Sequence, residues 1–141
     1  MRCLGLDLGS KTLGIAISDR TNFIASVYKT IFFKEEDYNS LIEPLREIVK
    51  NEDIGTLVLG LPKNMNNSLG TRAMITLEFK DILEKELGLP VMLEDERLTS
   101  VISNNILISA NMSRNKRKKK VDGMAAEIIL QGYLDKLRKD N

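Results

Sequence analysis

Met1–Asp19 reads MRCLGLDLGSKTLGIAISD, and the fold turns on how that stretch is read. Cys3 to Leu8 is an apolar run of β-strand composition that carries one acid, Asp7, and Thr12 to Ser18 is a second such run closing on Asp19. Only Gly9, Ser10 and Lys11 separate them, so the second strand is expected to fold back on the first as a hairpin. A carboxylate inside an apolar strand is costly to bury without a partner or a metal ion. Asp7 would stand near the end of a central strand, beside a turn that offers backbone N–H groups and Lys11. That setting suits a metal ion and a phosphate. The stretch taken alone fits a surface acid on an ordinary hairpin equally well.

Working outward, Phe23 to Thr30 is rich in β-formers and is expected to be a third strand. Lys34 to Asp37 is a charged connector. Tyr38, Leu41, Ile42, Leu45, Ile48 and Val49 then recur at helical spacing. Pro44 suits the first turn of that helix, which therefore begins only a few residues before it or bends. Thr56 to Leu61 is a continuous apolar run, as expected of a strand buried on both faces. The loop from Pro62 to Gly70 is dense in turn formers, and Asn67 and Gly70 both tolerate positive φ.

Arg72 to Leu87 reads as a helix stopped by Gly88. Pro90 to Leu93 begins a strand that runs into Glu94, Asp95, Glu96 and Arg97, and alternation puts Glu94 and Glu96 on one face. Thr99 or Ser100 is placed to cap a helix over Val101 to Ala110. Arg114 to Lys120, RNKRKKK, is expected to be a basic loop. The last helix is expected from Val121 to about Leu137. Asp122 would lie in its first turn, on the face of Ala125, Ala126 and Ile129. A helix-start acid favoured by the macrodipole is the alternative reason for Asp122.

The order β-β-β-α-β-α-β-α is satisfied by an α/β domain, 1–141, with a five-stranded mixed sheet, the first strand central and helices on both faces. This is a ribonuclease-H-like layout. The first, fourth and fifth strands would run parallel, so that their carboxyl ends share one edge, where open α/β sheets usually place their sites. Asp7, the Glu94–Glu96 cluster and Asp122 would converge there.

Composition narrows the chemistry. The 141 residues are 43% hydrophobic and 29% charged, and no apolar run approaches a membrane span. The N-terminus lacks a signal-peptide layout, because Asp7 interrupts its apolar stretch. With no His and one Cys, a typical zinc site and Ser-His or Cys-His catalysis are excluded. The single Cys fits a reducing cytoplasmic setting. Any metal must be held by oxygen, which points to Mg²⁺ or Mn²⁺. Three converging carboxylates would repel one another, and a divalent metal removes that conflict. Such a site would hydrolyse a phosphodiester. Arg114, Lys116, Arg117, Lys118, Lys119 and Lys120 put six cations in seven residues, and without them the chain would be net negative. They are suited to backbone phosphates of a nucleic acid, though a run of this kind is also compatible with a solvated loop.

Four blocks carry a family resemblance: GLDLGSKTLGIAISD (Gly5–Asp19), GLPKNMNNSLGTRA (Gly60–Ala73), DERLTS (Asp95–Ser100) and SRNKRKKKVDGMAAEIILQGYLD (Ser113–Asp135). In this order they resemble the motifs of the YqgF/RuvX family over nearly the whole chain. The resemblance implies a ribonuclease-H-like fold and a cytoplasmic bacterial nuclease, a hydrolase for 5′-end processing of pre-16S ribosomal RNA in ribosome biogenesis. It also implies Asp7, Glu96 and Asp122 as catalytic metal ligands, with Lys11 and Arg97 as phosphate contacts. Ribosomal particles are the partners this role would bring. Some members are described as Holliday-junction resolvases, which makes branched DNA the alternative substrate. Asn67 stands where Gly is usual, Gly123 where Lys is usual and Glu94 where Trp is common. The last places a further acid beside the site. Two other readings are a non-catalytic RNA-binding ribosome-assembly factor, for which the basic run would suffice, and an ATP-dependent phosphotransferase. Against the second stands the lack of a paired domain to close on a nucleotide.

Overall fold

The computed structural model describes residues 1–62, 70–95 and 114–139, with side chains at 1–62, 70–94 and 124–137. Its strands are β1 (Arg2–Leu8), β2 (Thr12–Ser18), β3 (Ala25–Phe32), β4 (Ile54–Leu61) and β5 (Val91–Asp95). They form one sheet in the order β3-β2-β1-β4-β5. β1 pairs antiparallel with β2 and parallel with β4, and β4 pairs parallel with β5. The central first strand and the shared edge of three parallel carboxyl ends are thus as the sequence predicts.

The helices are α1 (Ile42–Asn51), α2 (Thr71–Leu87) and α3 (Arg114–Lys139), with a 3₁₀ turn at Tyr38–Leu41 before α1. Pro44 falls in the first turn of α1, where its missing N–H costs no helical hydrogen bond. Gly88 ends α2 in the left-handed region, at φ 67° and ψ 25°. The expected helix over Val101–Ala110 and the position of Asn67 lie outside the described residues.

α1 and α2 cover one face of the sheet. Leu4, Leu6, Leu8, Leu13, Ile15, Leu57 and Leu59 meet Leu45, Ile48, Phe79 and Leu83 there. α3 covers the other face, where Cys3, Ala16, Ala25 and Val58 meet Ala126, Ile129, Leu130 and Leu134. Gly5 is required on this face: a Cβ there would stand 2.7 Å from Leu130 Cβ and 2.9 Å from the Ala126 carbonyl oxygen.

Several boundaries differ from the expectation: β1 begins one residue earlier, at Arg2, β4 two earlier, at Ile54, and β3 runs on to Phe32. Two differences bear on the reading. The basic run is not a loop. Arg114 to Lys120 forms the first two turns of α3, because Lys and Arg are good helix formers and neither Gly nor Pro interrupts them before Gly123. Asp122 therefore lies inside the helix rather than in its first turn, and the macrodipole reason for it falls away. β3 begins at Ala25 rather than Phe23, because the backbone N–H groups of Phe23 and Ile24 donate to the Asp19 carboxylate and hold the preceding turn.

Candidate active site

Strand alternation decides where Asp7 points. Leu4, Leu6 and Leu8 enter the α1/α2 face, so Cys3, Gly5 and Asp7 lie on the α3 face. Asp7 is half-buried near the carboxyl end of β1, opposite Gly14 of β2. On the other side, Leu6 pairs with Leu59, which sets Asp7 level with Gly60. Gly60 in turn pairs with Glu94 on β5. Asp7, Gly60 and Glu94 form one row across three parallel strands, and the middle position has no side chain.

Glu94 is held from the opposite layer. Lys136 Nζ lies 2.9 Å from Glu94 Oε1 and 3.0 Å from Oε2, and the Glu94 side chain is only 11% exposed. This ion pair ties the end of β5 to α3. Tyr133, on the same helix, has its hydroxyl pKa pushed up by burial and by the neighbouring Cys3 and Glu94, and it stays neutral.

The direction of α3 follows from its contacts. Ala126 and Leu130 lie against Gly5, and Tyr133 comes close to Cys3. Ascending α3 therefore means descending β1. The turn before Ala126, which carries the Asp122 backbone, falls toward the Asp7 end of β1.

The turn joining β1 to β2 is fixed at both ends. Gly9 N–H donates to the Thr12 carbonyl at 2.8 Å, and Phe33 N–H donates to the Lys11 carbonyl at 2.9 Å. The Lys11 side chain is exposed beside Asp7's end of the strand. Glu96 and Arg97 lie outside the described residues. Arg114, Lys116, Arg117, Lys118, Lys119 and Lys120 are described as helical backbone. Among the described residues, no three acids or cysteines stand close enough to hold a metal. The donor chemistry of the expected set, carboxylate oxygen alone, fits Mg²⁺ or Mn²⁺.

Sequence reasoning missed two residues here. Arg72 donates from Nη2 to the Leu8 carbonyl oxygen at 3.0 Å, across 64 residues of chain. Its only signal in the sequence is a cation opening the helix that follows β4. Lys136 gives no signal, since its partner is 42 residues away.

A family model described as "RuvX: Holliday junction resolvase" matches residues 1–136. A protein of Oceanobacillus iheyensis named "Putative pre-16S rRNA nuclease" is 47% identical over 135 residues, covering 96% of this chain and 98% of its own. One of the same name from Bacillus subtilis is 47% identical over 137 residues, covering 97% and 99%. Among solved structures, Thermus thermophilus RuvC in complex with a Holliday junction substrate matches with a TM-score of 0.62 at 11% identity, covering 99% of this chain and 96% of that one. The Fowlpox virus resolvase, also solved with Holliday junction DNA, matches with a TM-score of 0.58 at 14% identity, covering 97% and 99%. At those identities the likeness shows the fold: resolvase-like and ribonuclease-H-like.

Proposed function

The chain belongs to the RuvX family, and on that premise we propose that it is a metal-dependent nuclease that hydrolyses phosphodiester bonds in the 5′-end processing of pre-16S ribosomal RNA. The observation that carries this reading is the row Asp7–Gly60–Glu94. It is an acid on the small-residue face at the shared carboxyl edge of three parallel strands, with the α3 turn of Asp122 at the same end.

In this reading Asp7, Glu96 and Asp122 hold Mg²⁺ or Mn²⁺. A strand that ran on past Asp95 would put Glu96 on the face of Glu94 and Asp7. Glu94 is engaged by Lys136, which favours Glu96 as the ligand. When bound, the metal activates a water and stabilises the leaving oxygen. Lys11, Arg97 and the six cations at 114–120 bind backbone phosphates and bring the scissile bond to the acids. The setting is the bacterial cytoplasm, with one domain over 1–141 and ribosomal particles as the source of substrate. No helix among the described residues is long and apolar enough to cross a membrane.

The matching family model names a Holliday junction resolvase, so branched DNA is the second substrate to test. The experiment sets a precursor ribosomal RNA with its 5′ leader against a synthetic four-way DNA junction, with Mg²⁺ or Mn²⁺, in wild-type and Asp7→Asn protein. Asp7-dependent trimming of the RNA alone is expected. Paired nicks in the junction alone would make the chain a resolvase. RNA binding with no cleavage of either would make it a binding factor. Binding is expected to weaken with salt, by up to about 0.7 in the log–log slope per phosphate contact on a single strand. Neutralising the basic run should flatten that slope.

A further inference from the structure

Arg72 and Pro62 together show how the end of β1 is held. Arg2 N–H donates to the Asp53 carbonyl, so the even-numbered residues of β1 turn their backbone groups toward β4. Leu57 N–H donates to the Pro90 carbonyl, so the odd-numbered residues of β4 turn toward β5 and the even-numbered ones toward β1. The last β1–β4 pair is Leu6 with Leu59. One step further, Leu8 stands level with Leu61. In a parallel ladder its carbonyl would accept from the backbone N–H of the residue after Leu61. That residue is Pro62, which has no N–H. The Leu8 carbonyl instead accepts from Arg72 Nη2 at 3.0 Å, in a part-buried bond.

We propose that Arg72 is a positioning residue that supplies the donor Pro62 lacks and so fixes the end of β1 that carries Asp7. The sheet opens between β1 and β4 just where Asp7 stands, and a side chain from α2 closes the ladder there. Asp7 is one residue before the clamped carbonyl, and the Gly9–Lys11 turn begins one residue after it. Loss of the clamp would let both shift. This proposal rests on the nuclease reading for its consequence, and on hydrogen-bond geometry alone for its structural content.

The test uses the full chain in four forms: wild type, Arg72→Met, Arg72→Met with Pro62→Ala, and Arg72→Lys. Arg72→Met is expected to lower kcat on the precursor RNA roughly tenfold, with KM near wild type. Hydrogen exchange at the Gly9 amide should quicken in parallel. Pro62→Ala restores a backbone N–H to the ladder position that Pro62 leaves without a donor. The double variant should therefore recover most of kcat and of Gly9 protection, and the restored amide at position 62 should itself be protected. Arg72→Lys, which keeps charge and reach, should fall between. If Arg72→Met does not fold, Arg72→Lys carries the comparison with the same two readouts.

An unchanged kcat and unchanged Gly9 exchange in the folded single variant would overturn the proposal. So would a folded double variant as slow as the single one. A change confined to KM would make Arg72 a phosphate contact instead, and would also overturn it. If wild-type protein cuts no substrate, the nuclease reading fails, while the exchange pattern still decides the clamp.

Discussion

On one face of the sheet β1 and β2 present Leu4, Leu6, Leu8, Leu13 and Ile15 to α1 and α2; on the other they present Cys3, Gly5 and Ala16 to α3. The first face is built from large aliphatic side chains, where each buried residue contributes roughly 1.5–3 kcal/mol of burial. The second is built from small ones, which let the α3 backbone approach until Gly5 has no room for a methyl group. At the carboxyl end of β1 the first face finishes in Leu8 and the second in Asp7. Alternation along one strand thus separates the side that holds the sheet together from the side that presents acids.

Substitutions can break that separation, and the largest effect is expected from Asp7→Asn. It keeps size and removes charge, so cleavage should fall by on the order of a thousandfold while thermal stability stays near wild type. Cleavage at the parental rate would mean that the small-residue face does not carry the chemistry. Leu6→Ala, on the opposite face of the same strand, should cost about 2–5 kcal/mol in urea unfolding, because Leu6 is fully buried. Its kcat per folded molecule should be unchanged, and a large fall would show that the faces are coupled.

Gly5→Ala should cost about 1–3 kcal/mol, since α3 must move to admit the Cβ. Unlike Leu6→Ala it should also slow cleavage, because α3 carries Asp122. Lys136→Met takes the cation from the nearly buried Glu94 carboxylate and should cost about 1–3 kcal/mol, read by the same unfolding curves.

The smallest effect lies at the far end of the sheet. Asp19 has its carboxyl pKa lowered to about 2, chiefly by the Thr21 hydroxyl and then by the Ile24 N–H. Its folded value is below its unfolded value. The stability it contributes is therefore present above the ordinary range near 3.8 and is lost as pH falls toward about 2. An NMR titration of Asp19 checks the shift.

The hairpin and sheet order were legible in the sequence because they rest on local signals: three residues between two apolar runs, and Gly88 after α2. β2 and the end of α2 fall where the pattern puts them. What could not be read depends on partners far along the chain. The start of β3 is set by the Asp19 carboxylate taking the N–H groups of Phe23 and Ile24. The Arg72–Leu8 and Lys136–Glu94 contacts join elements that only the folded sheet brings together. The basic run departs from its expected loop for a different reason. Its charge density alone is that of a solvated loop, while Lys and Arg favour a helix when no breaker interrupts them. Of the site, Asp7 is where strand alternation puts it, and the α3 backbone at Asp122 falls at the same end. Glu96 belongs to the residues not described.

Cys3 lies beneath α3 at 5% exposure, its thiol pushed up by burial, and it is the chain's one cysteine. A thiol-reactive dye therefore has a single target, and it reaches that target only when the helix lifts from the sheet. The ratio of its labelling rate to that of an unfolded control gives the opening equilibrium of α3 directly. The wild-type sequence carries its own clock for how often α3 comes away from the sheet.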